Sequence, residues 1–163
     1  MEWNVHSAPV DGSAAVSLLR AYYTEIVGRY HGRPAEPHEV SAAMADEPST
    51  DLAPPQGEFL VAYRGEQPVG CAGVRRLEPG VVELARLFVR PEHRGCGGGA
   101  VLLAAVERAA HRFGARAVRL DTRRDLVEAR ALYARNGYVE IPAYHHGPYA
   151  DHWFEKRLEA QAP

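Results

Sequence analysis

The sequence predicts an α/β fold in which helices flank a mixed, mostly antiparallel central sheet with one strand–helix–strand crossover. Apolar residues alternate in three successive segments that are separated by short turns, a pattern typical of an antiparallel meander. A segment of helical period then separates two apolar, strand-like segments, a pattern typical of a parallel crossover. The length of 163 residues fits one domain of ordinary size, so a single domain over residues 1–163 is expected.

The first part of the chain is predicted to contain one short strand and two helices. A strand is expected over residues 3–8. Ser13 is a preferred N-cap residue type, and the apolar residues after it recur at helical spacing to about residue 30. A second helix is predicted over residues 37–44, and the polar, proline-broken segment 47–55 is predicted to be a loop.

Strands dominate the middle of the chain and frame a long helix. The predicted strands of the meander are 58–64, 69–76 and 81–89. After Pro91 the apolar residues keep a helical period up to Gly114, a residue type that commonly ends helices. The remaining predicted elements are strands over 117–122, 138–141 and 152–158 and a helix over 126–136. The crossover is therefore expected over residues 81–122.

The composition excludes several classes of protein. With 46% hydrophobic and 25% charged residues, the chain has the balance of a soluble globular protein rather than of a disordered or collagen-like one. No stretch approaches the roughly 18 apolar residues of a membrane-spanning helix, and the first residues lack the pattern of a signal peptide. Cys71 and Cys96 are too far apart in sequence for a metal-binding or redox motif. We therefore expect a cytoplasmic protein without membrane association.

Charge is distributed unevenly along the chain. Residues 1–60 contain nine acids and three arginines, whereas residues 86–135 contain eleven arginines and five acids. This asymmetry indicates an anionic ligand held by the second half and a cationic one facing the first, or else ordinary solvated helix faces. No lysine-rich run is present, so we expect no nucleic-acid partner.

The segment 90–100, between a predicted strand and a long helix, is the most informative part of the sequence. Four of the five residues in 95–99 are glycines, which permits a sharp turn and the close approach of a ligand. The first N–H groups of the following helix lack internal partners and lie at the positive end of its dipole. These features predict a phosphate or pyrophosphate site, to which Arg94 can add a charge-assisted contact; a loop without a ligand is the alternative.

Two other phosphate-binding motifs fit this segment less well. A P-loop requires Lys and then Ser or Thr after its last glycine, whereas Gly99 is followed by Ala100. Gly95, Gly97 and Ala100 match a dinucleotide fingerprint, and Asp121 lies at a fitting distance beyond them. That fold, however, places its first glycine directly after the strand and needs several parallel units.

The motif Arg94-x-x-Gly97-x-Gly99 resembles the acetyl-CoA-binding motif of the GNAT acetyltransferase superfamily, Gln/Arg-x-x-Gly-x-Gly/Ala. The segment 131–138, with the sequence ALYARNGY, resembles the family's Leu-Tyr-x-x-x-Gly-Phe/Tyr segment. Leu126 stands where many relatives carry Asn. The predicted order of elements is also similar to that of the family: strand, two helices, three-stranded meander, helix, strand, helix and two strands.

The resemblance implies a GNAT-type fold in which the crossover carries the pyrophosphate site of the cofactor, acetyl-CoA. The residues it implies for cofactor binding are Leu87, Phe88, Val89, Arg94, Gly95, Cys96, Gly97, Gly98, Gly99 and Ala100. The main-chain N–H groups of Phe88 and Val89 are expected to hold the thioester carbonyl and the pantetheine arm where two strands splay apart. Cys96 is not expected to be a nucleophile, because the family transfers acetyl groups without a covalent enzyme intermediate.

The implied reaction transfers the acetyl group of acetyl-CoA to a primary amine, by direct attack in a ternary complex. A small-molecule amine is the favoured acceptor. A protein or peptide acceptor, or a CoA-binding module without turnover, are the alternatives. A second copy of the chain, in a homodimer, is a further expected partner.

Two residues are candidates for proton transfer. Glu83 is a carboxylate within an otherwise apolar strand, and partial burial would suit it as a general base, directly or through a water; a surface carboxylate, or one paired with Arg86, is the alternative. The phenol of Tyr133, with a reference pKa of about 10 against about 8.5 for a thiol, can protonate a departing thiolate; a core aromatic is the alternative. In a strand of strict period two, Glu83 shares its side with Ala85 and Leu87, so a bulge decides whether it faces the cofactor.

The first helix and the loop 142–150 are expected to line the pocket for the acceptor. The candidate acceptor-binding residues are Tyr22, Tyr23, Arg29, Tyr144 and His145. Adjacent histidines without spaced partners rarely bind one ion, so no metal site is expected at His145-His146.

Overall fold

A seven-stranded sheet organises the fold of this computed structural model, which describes residues 2–160. The elements in chain order are β1 (Trp3–Ser7), α1 (Ser13–His31), α2 (Pro37–Asp46), β2 (Gly57–Arg64), β3 (Gln67–Glu78), β4 (Val81–Val89), a 3-10 turn (Pro91–His93), α3 (Gly98–Arg112), β5 (Ala117–Thr122), α4 (Val127–Arg135), β6 (Val139–Ile141) and β7 (His152–Arg157). The strand order is β1-β2-β3-β4-β5-β7-β6. Within residues 2–160, only β4 and β5 pair in parallel, and α3 joins them. The predicted mixed, mostly antiparallel sheet with one crossover is therefore confirmed.

Local sequence explains most of the element boundaries. β4 and β5 have the bounds predicted for them, whereas β3 extends two residues further at each end. The predicted cap of α1 is wrong, because Gly12 occupies the N-cap position and Ser13 is the first helical residue. α2 begins with a capping box in which Glu36 and Glu39 each accept an N–H from the other's backbone, and it extends to Asp46, beyond the predicted end at residue 44.

The two faces of the sheet are covered by different helices. On β2, Leu60 and Ala62 belong to the apolar cluster that includes α3, whereas Phe59 and Val61 belong to the cluster that includes α1. This division follows from the alternation of side chains along a strand. Within residues 2–160, no helix combines the length and the apolar content needed to cross a membrane.

The parallel pair β4 and β5 separates partway along its length. Pairing runs only from Val81 to Glu83 on β4, whereas β5 continues to pair with β7 as far as Thr122. On its other edge, β4 shifts register against β3, and Arg86 lies at this irregularity with a φ of +59°. The second half of β4 therefore leaves β5, and a cleft opens between the two strands.

Candidate active site

A central cavity of about 590 Å³ lies where β4 and β5 separate. Its walls come from α1, α2, the middle of β4, the end of β5, α4 and the loop around residues 145–150. Pockets for small molecules have volumes of roughly 300–1,000 Å³, and this cavity falls within that range. Both candidates for proton transfer, Glu83 and Tyr133, line it.

Glu83 is the last residue of β4 that pairs with β5, and two neighbouring side chains hold its carboxylate. The residue is 5% exposed, and Arg75, opposite it on β3, donates to its Oε1 from Nε at 2.9 Å and from Nη2 at 2.7 Å. The Tyr144 hydroxyl donates to Oε2 at 2.6 Å. Glu83 is thus neither a surface carboxylate nor the partner of Arg86. Because a carboxylate offers about four lone-pair sites, these three bonds leave one for an incoming proton or water.

Tyr133 lies on α4 with its ring in the core and its hydroxyl at the cavity. Its ring centroid is 5.9 Å from that of Tyr138 and 6.0 Å from that of Phe154. Burial raises the pKa of the Tyr133 phenol, and the nearby Tyr22 and Asp121 act in the same direction. Its hydroxyl has no hydrogen-bond partner among residues 2–160. The group therefore keeps its proton near neutral pH and has it free to donate into the cavity.

The turn before α3 has the features of the predicted anion site. Gly97 is the N-cap residue with a φ of +85°, and no atom of the described part of the chain lies within 4 Å of the position that its Cβ would occupy. Val101 N–H bonds to Gly97 O at 3.1 Å, so the N–H groups of the first turn before it have no intrahelical partner. These donors lie at the positive end of the helix dipole and fit a diphosphate such as that of CoA.

Two of the four glycines have side-chain neighbours at the positions that their Cβ atoms would occupy. A Cβ at Gly98 would overlap the ring of Trp3 in β1, and one at Gly99 would lie 2.7 Å from Leu132 in α4. Gly98 and Gly99 thus allow α3 to approach its neighbours closely. Among residues 2–160, nothing lies within 4 Å of the Cβ positions of Gly95 and Gly97, so we expect the space for a phosphate there and along the free N–H groups.

Arg94 connects the turn to β4 and α1. Its Nε donates to Val89 O at 2.8 Å, and its Nη2 donates to Glu25 at 2.9 Å. Its guanidinium also lies 5.5 Å from the centroid of the Phe88 ring. Since Nη1 makes no contact with a residue in the described range, Arg94 can hold the turn in place and still offer donors to an anion.

The backbone of β4 runs from the turn towards the central cavity. Arg90 N–H donates to Val69 O of β3 at 2.7 Å, so strand alternation directs the N–H of Phe88 to the same side. The N–H groups of Leu87 and Val89 then point away from β3, on the side where β5 has departed. Alternation therefore favours Leu87 and Val89 over Phe88 as donors to a ligand in the cleft. The side chain of Phe88 is buried against Tyr22 of α1.

The predicted acceptor residues take three different positions. Tyr22 and Tyr23 line the central cavity; burial raises the pKa of Tyr22 to about 12, and the Tyr23 hydroxyl donates to Glu47 at 3.2 Å. Tyr144 is not in the cavity wall but lies behind Glu83. Arg29 does not line the cavity either, because its guanidinium pairs with Asp125 and Glu128 beside α4.

His145 lines the cavity and forms a closed pair with Asp121. Gly147 N–H donates to its Nδ1 at 3.0 Å, so Nε2 carries the proton that is shared with Asp121 Oδ2 at 2.8 Å. Glu83, Asp121 and His145 have ligand atoms within 4.8 Å of one another, the spacing of a metal site. Both nitrogens of His145 are already used, however, so this cluster does not present a free imidazole ligand.

Arg75 and Arg86 are cavity residues that the sequence analysis did not assign to the site. Arg75 faces Glu83 across the β3–β4 hairpin. The sequence could have shown this pairing, because residues at nearly equal distances from the turn at Pro79-Gly80 lie opposite each other in a hairpin. Arg86 projects from the irregular position of β4. No residue type in this stretch marks that position as irregular.

In this protein the sheet opens beside a turn suited to a diphosphate, and the carboxylate of Glu83 and the phenol of Tyr133 line the opening. These are the parts that acyl transfer from a CoA thioester to an amine requires. The sequence matches the acetyltransferase (GNAT) family over residues 16–138, and the chain belongs to this family.

Curated relatives agree with this assignment. An N-acetyltransferase of Schizosaccharomyces pombe is 36% identical over 62% of this chain and 63% of its own length. The protein named IAA acetyltransferase of Azospirillum brasilense is 36% identical over 60% of this chain and 63% of its own length. An N-acetyltransferase of Bacillus subtilis, YjcF, is 36% identical over 51% of this chain and 56% of its own length. The chain thus spans about three fifths of the length of these relatives.

Solved structures share the fold over nearly the whole chain. The PaiA N-acetyltransferase of Thermoplasma acidophilum, in complex with coenzyme A, has a TM-score of 0.75 at 17% identity, covering 97% of this chain and 100% of that one. A GNAT-family acetyltransferase of Staphylococcus aureus has a TM-score of 0.72 at 17% identity, with the same coverage. At this level of identity the likeness concerns the fold.

Proposed function

We propose that the protein transfers the acetyl group of acetyl-CoA to the primary amine of a small molecule, by direct attack in a ternary complex. The observation that carries the proposal is that Glu83 and Tyr133 line one cavity where β4 and β5 separate. The relatives named N-acetyltransferases, and the coenzyme A complex of the Thermoplasma protein, support it. The volume of about 590 Å³ favours a small molecule as acceptor.

The turn before α3 and the end of β4 are the surfaces that would hold acetyl-CoA. The N–H groups of the first turn of α3 bind the diphosphate, with Arg94 adjacent. The N–H groups of Leu87 and Val89 bind the pantetheine arm and the thioester carbonyl. Once bound, acetyl-CoA supplies an activated acyl carbon at the mouth of the central cavity.

Glu83 and Tyr133 then move one proton each. Glu83 accepts the proton of the attacking amine on its remaining lone pair, directly or through a water, while Arg75 and Tyr144 keep the carboxylate in place. Tyr133 donates its phenolic proton to the sulfur as the C–S bond breaks and the C–N bond forms. Solvent returns a proton to Tyr133 and takes the one on Glu83, so the cycle is balanced.

The release of free thiol from acetyl-CoA, measured across a panel of amines, tests the proposed function. Polyamines, aminoglycosides and amino acids represent small acceptors, and short peptides represent protein acceptors. We expect turnover with at least one small amine. Turnover with peptides alone would show a protein N-acetyltransferase, and tight CoA binding without any turnover would show a binding module; both results contradict the proposal.

Glu83→Gln is expected to lower turnover most strongly at acidic pH. The amide keeps the shape of the side chain but cannot accept a proton, so the variant depends on amine that is already deprotonated. We expect a loss on the order of 100-fold at neutral pH, with partial recovery as the pH rises towards the pKa of the amine. The measurement is kcat against pH for the parent and the variant.

Glu78→Gln is the matched control for this substitution. Glu78 lies on β3 outside the central cavity and pairs with Arg119, so its variant should keep the parental pH profile. A Glu83→Gln enzyme with the parental profile would remove Glu83 from the role of base.

A further inference from the structure

Three arginines line the central cavity, and two of them are paired with carboxylates. Arg75 pairs with Glu83 at 2.7 Å, and Arg123 pairs with Asp125 at 2.7 Å. Arg86 has no carboxylate within 4.0 Å among residues 2–160. Its contacts are one long bond from Nη2 to the backbone oxygen of Glu47, at 3.3 Å, and the ring of Tyr23, 5.9 Å away.

The guanidinium of Arg86 is also incompletely satisfied. Its Nε is buried and has no hydrogen-bond partner in the described part of the chain. A buried donor without a hydrogen-bond partner costs free energy, and the cost is larger when the donor belongs to a charged group. A planar guanidinium with most of its five donors unused is suited to a carboxylate, which it can bind through two parallel hydrogen bonds.

The backbone at Arg86 is held in a conformation that side chains rarely adopt. Its φ of +59° makes it the one non-glycine residue with positive φ between residues 2 and 160. Such outliers are unfavourable and persist where the surrounding structure imposes them. A strand irregularity re-aims the side chain at that position, and here the side chain lines the cavity.

Among residues 2–160, no acidic side chain of the cavity wall, Asp46 and Glu47 included, forms an ion pair with Arg86. Glu47 accepts a bond from the Tyr23 hydroxyl at 3.2 Å, and Glu39 pairs with Arg33 at 2.8 Å. Glu83, three residues before Arg86 on β4, lies roughly 10 Å away along the strand, given the rise per residue. One wall of the cavity, β4, therefore carries both a proton acceptor, Glu83, and a cation, Arg86, that pairs with no carboxylate of residues 2–160.

We infer that Arg86 binds a carboxylate of the acceptor, so that the acceptor is an amine that also carries a carboxylate group. This inference rests on the proposed function and narrows its substrate class. The amine of the acceptor lies at Glu83 and its carboxylate at Arg86, which orients the molecule along β4. A plain polyamine leaves Arg86 unpaired in the complex and is a poor acceptor.

The test compares α- and ω-amino acids with their methyl esters, by thiol release from acetyl-CoA. We expect the parent to prefer at least one free acid over its ester by roughly 10- to 100-fold in kcat/KM, the range of a charge-assisted hydrogen bond. In Arg86→Gln this ratio should be lower than in the parent by roughly the same 10- to 100-fold, chiefly through KM. The amines of a free acid and of its ester differ in basicity, but this difference affects the ratio equally in the parent and in the variant. It therefore cancels when the two enzymes are compared.

Arg123→Gln is the matched control, since Arg123 lines the same cavity but is held by Asp125. It should keep the parental ratio. Arg86→Gly is a second variant in case Arg86→Gln folds poorly, because glycine tolerates the positive φ; it should lose the ratio and fold at least as stably as the parent. A parent without preference for the free acid, or an Arg86→Gln enzyme that keeps it, would overturn the inference.

Failure of the inference and failure of the proposed function give different results. Acetylation of acids and esters at equal efficiency would overturn the inference and leave acetyl transfer intact. No turnover with any amine would overturn the proposed function. In that case calorimetry with the same free acids decides the inference: binding that Arg86→Gln abolishes supports it, and the absence of binding overturns it.

Discussion

Tyr133→Phe is expected to lower kcat by about 100-fold or more, while the affinity for CoA changes little. The substitution keeps the ring between Tyr138 and Phe154 and deletes only the hydroxyl that faces the central cavity. Burial raises the pKa of this phenol, so the hydroxyl is protonated when the thiolate begins to leave. Without it, the departing thiolate must take a proton from water. Steady-state kinetics, together with calorimetric CoA binding, measure the two effects separately.

Tyr138→Phe is the control for this prediction. Tyr138 is also buried and lies five residues further along the chain, but its hydroxyl bonds to Glu107 at 3.3 Å and is not in the cavity wall. Its variant should turn over at close to the parental rate. Parental turnover in Tyr133→Phe would instead assign the protonation of the thiolate to water.

Gly97→Val is expected to weaken CoA binding by about 100-fold or more. Gly97 has a φ of +85°, which a β-branched residue does not tolerate, so the turn must change and its N–H groups lose their aim. A Cβ there also enters the open space where the diphosphate is proposed to lie. Calorimetric titration with CoA gives the change in dissociation constant.

Gly114→Val separates the loss of the site from general strain. Gly114 follows the other end of α3, has a φ of +73° and likewise has open space around its Cβ position. The same backbone conflict is thus introduced about 25 Å along the helix, far from the turn. Its variant should lose stability but keep the CoA affinity of the parent. Equal CoA affinity in a folded Gly97→Val protein would place the diphosphate elsewhere.

Much of the scaffold could be predicted because it depends on local pattern. The apolar run of β4 lies between Gly80 and Pro91, that of β5 follows Gly114, and the structure has both strands at the predicted residues. The glycines at positions 95 and 97–99 stand out in the sequence as one feature, but the sequence does not distinguish the surroundings of each. Gly98 and Gly99 are required by Trp3 and Leu132, which lie far away in the chain.

The site was less predictable, because it depends on conformations and partners that residue types do not reveal. Nothing in the sequence marks Arg86 as a residue with positive φ, since that conformation usually belongs to glycine. Arg29 has a helical position consistent with the pocket, but helical periodicity does not show which neighbouring element covers it. In the structure that neighbour is α4 together with the loop before it, where Glu128 and Asp125 pair with Arg29.

The central claim is that an amine attacks acetyl-CoA directly while both are bound, with Glu83 and Tyr133 moving the protons. Initial velocities measured while acetyl-CoA and an accepted amine are both varied test this claim most directly. We predict double-reciprocal lines that intersect, as a ternary complex requires, and no mass gain on the protein after incubation with acetyl-CoA alone. Parallel lines, together with an acetyl group on the exposed Cys96, would show a covalent enzyme intermediate and contradict the account.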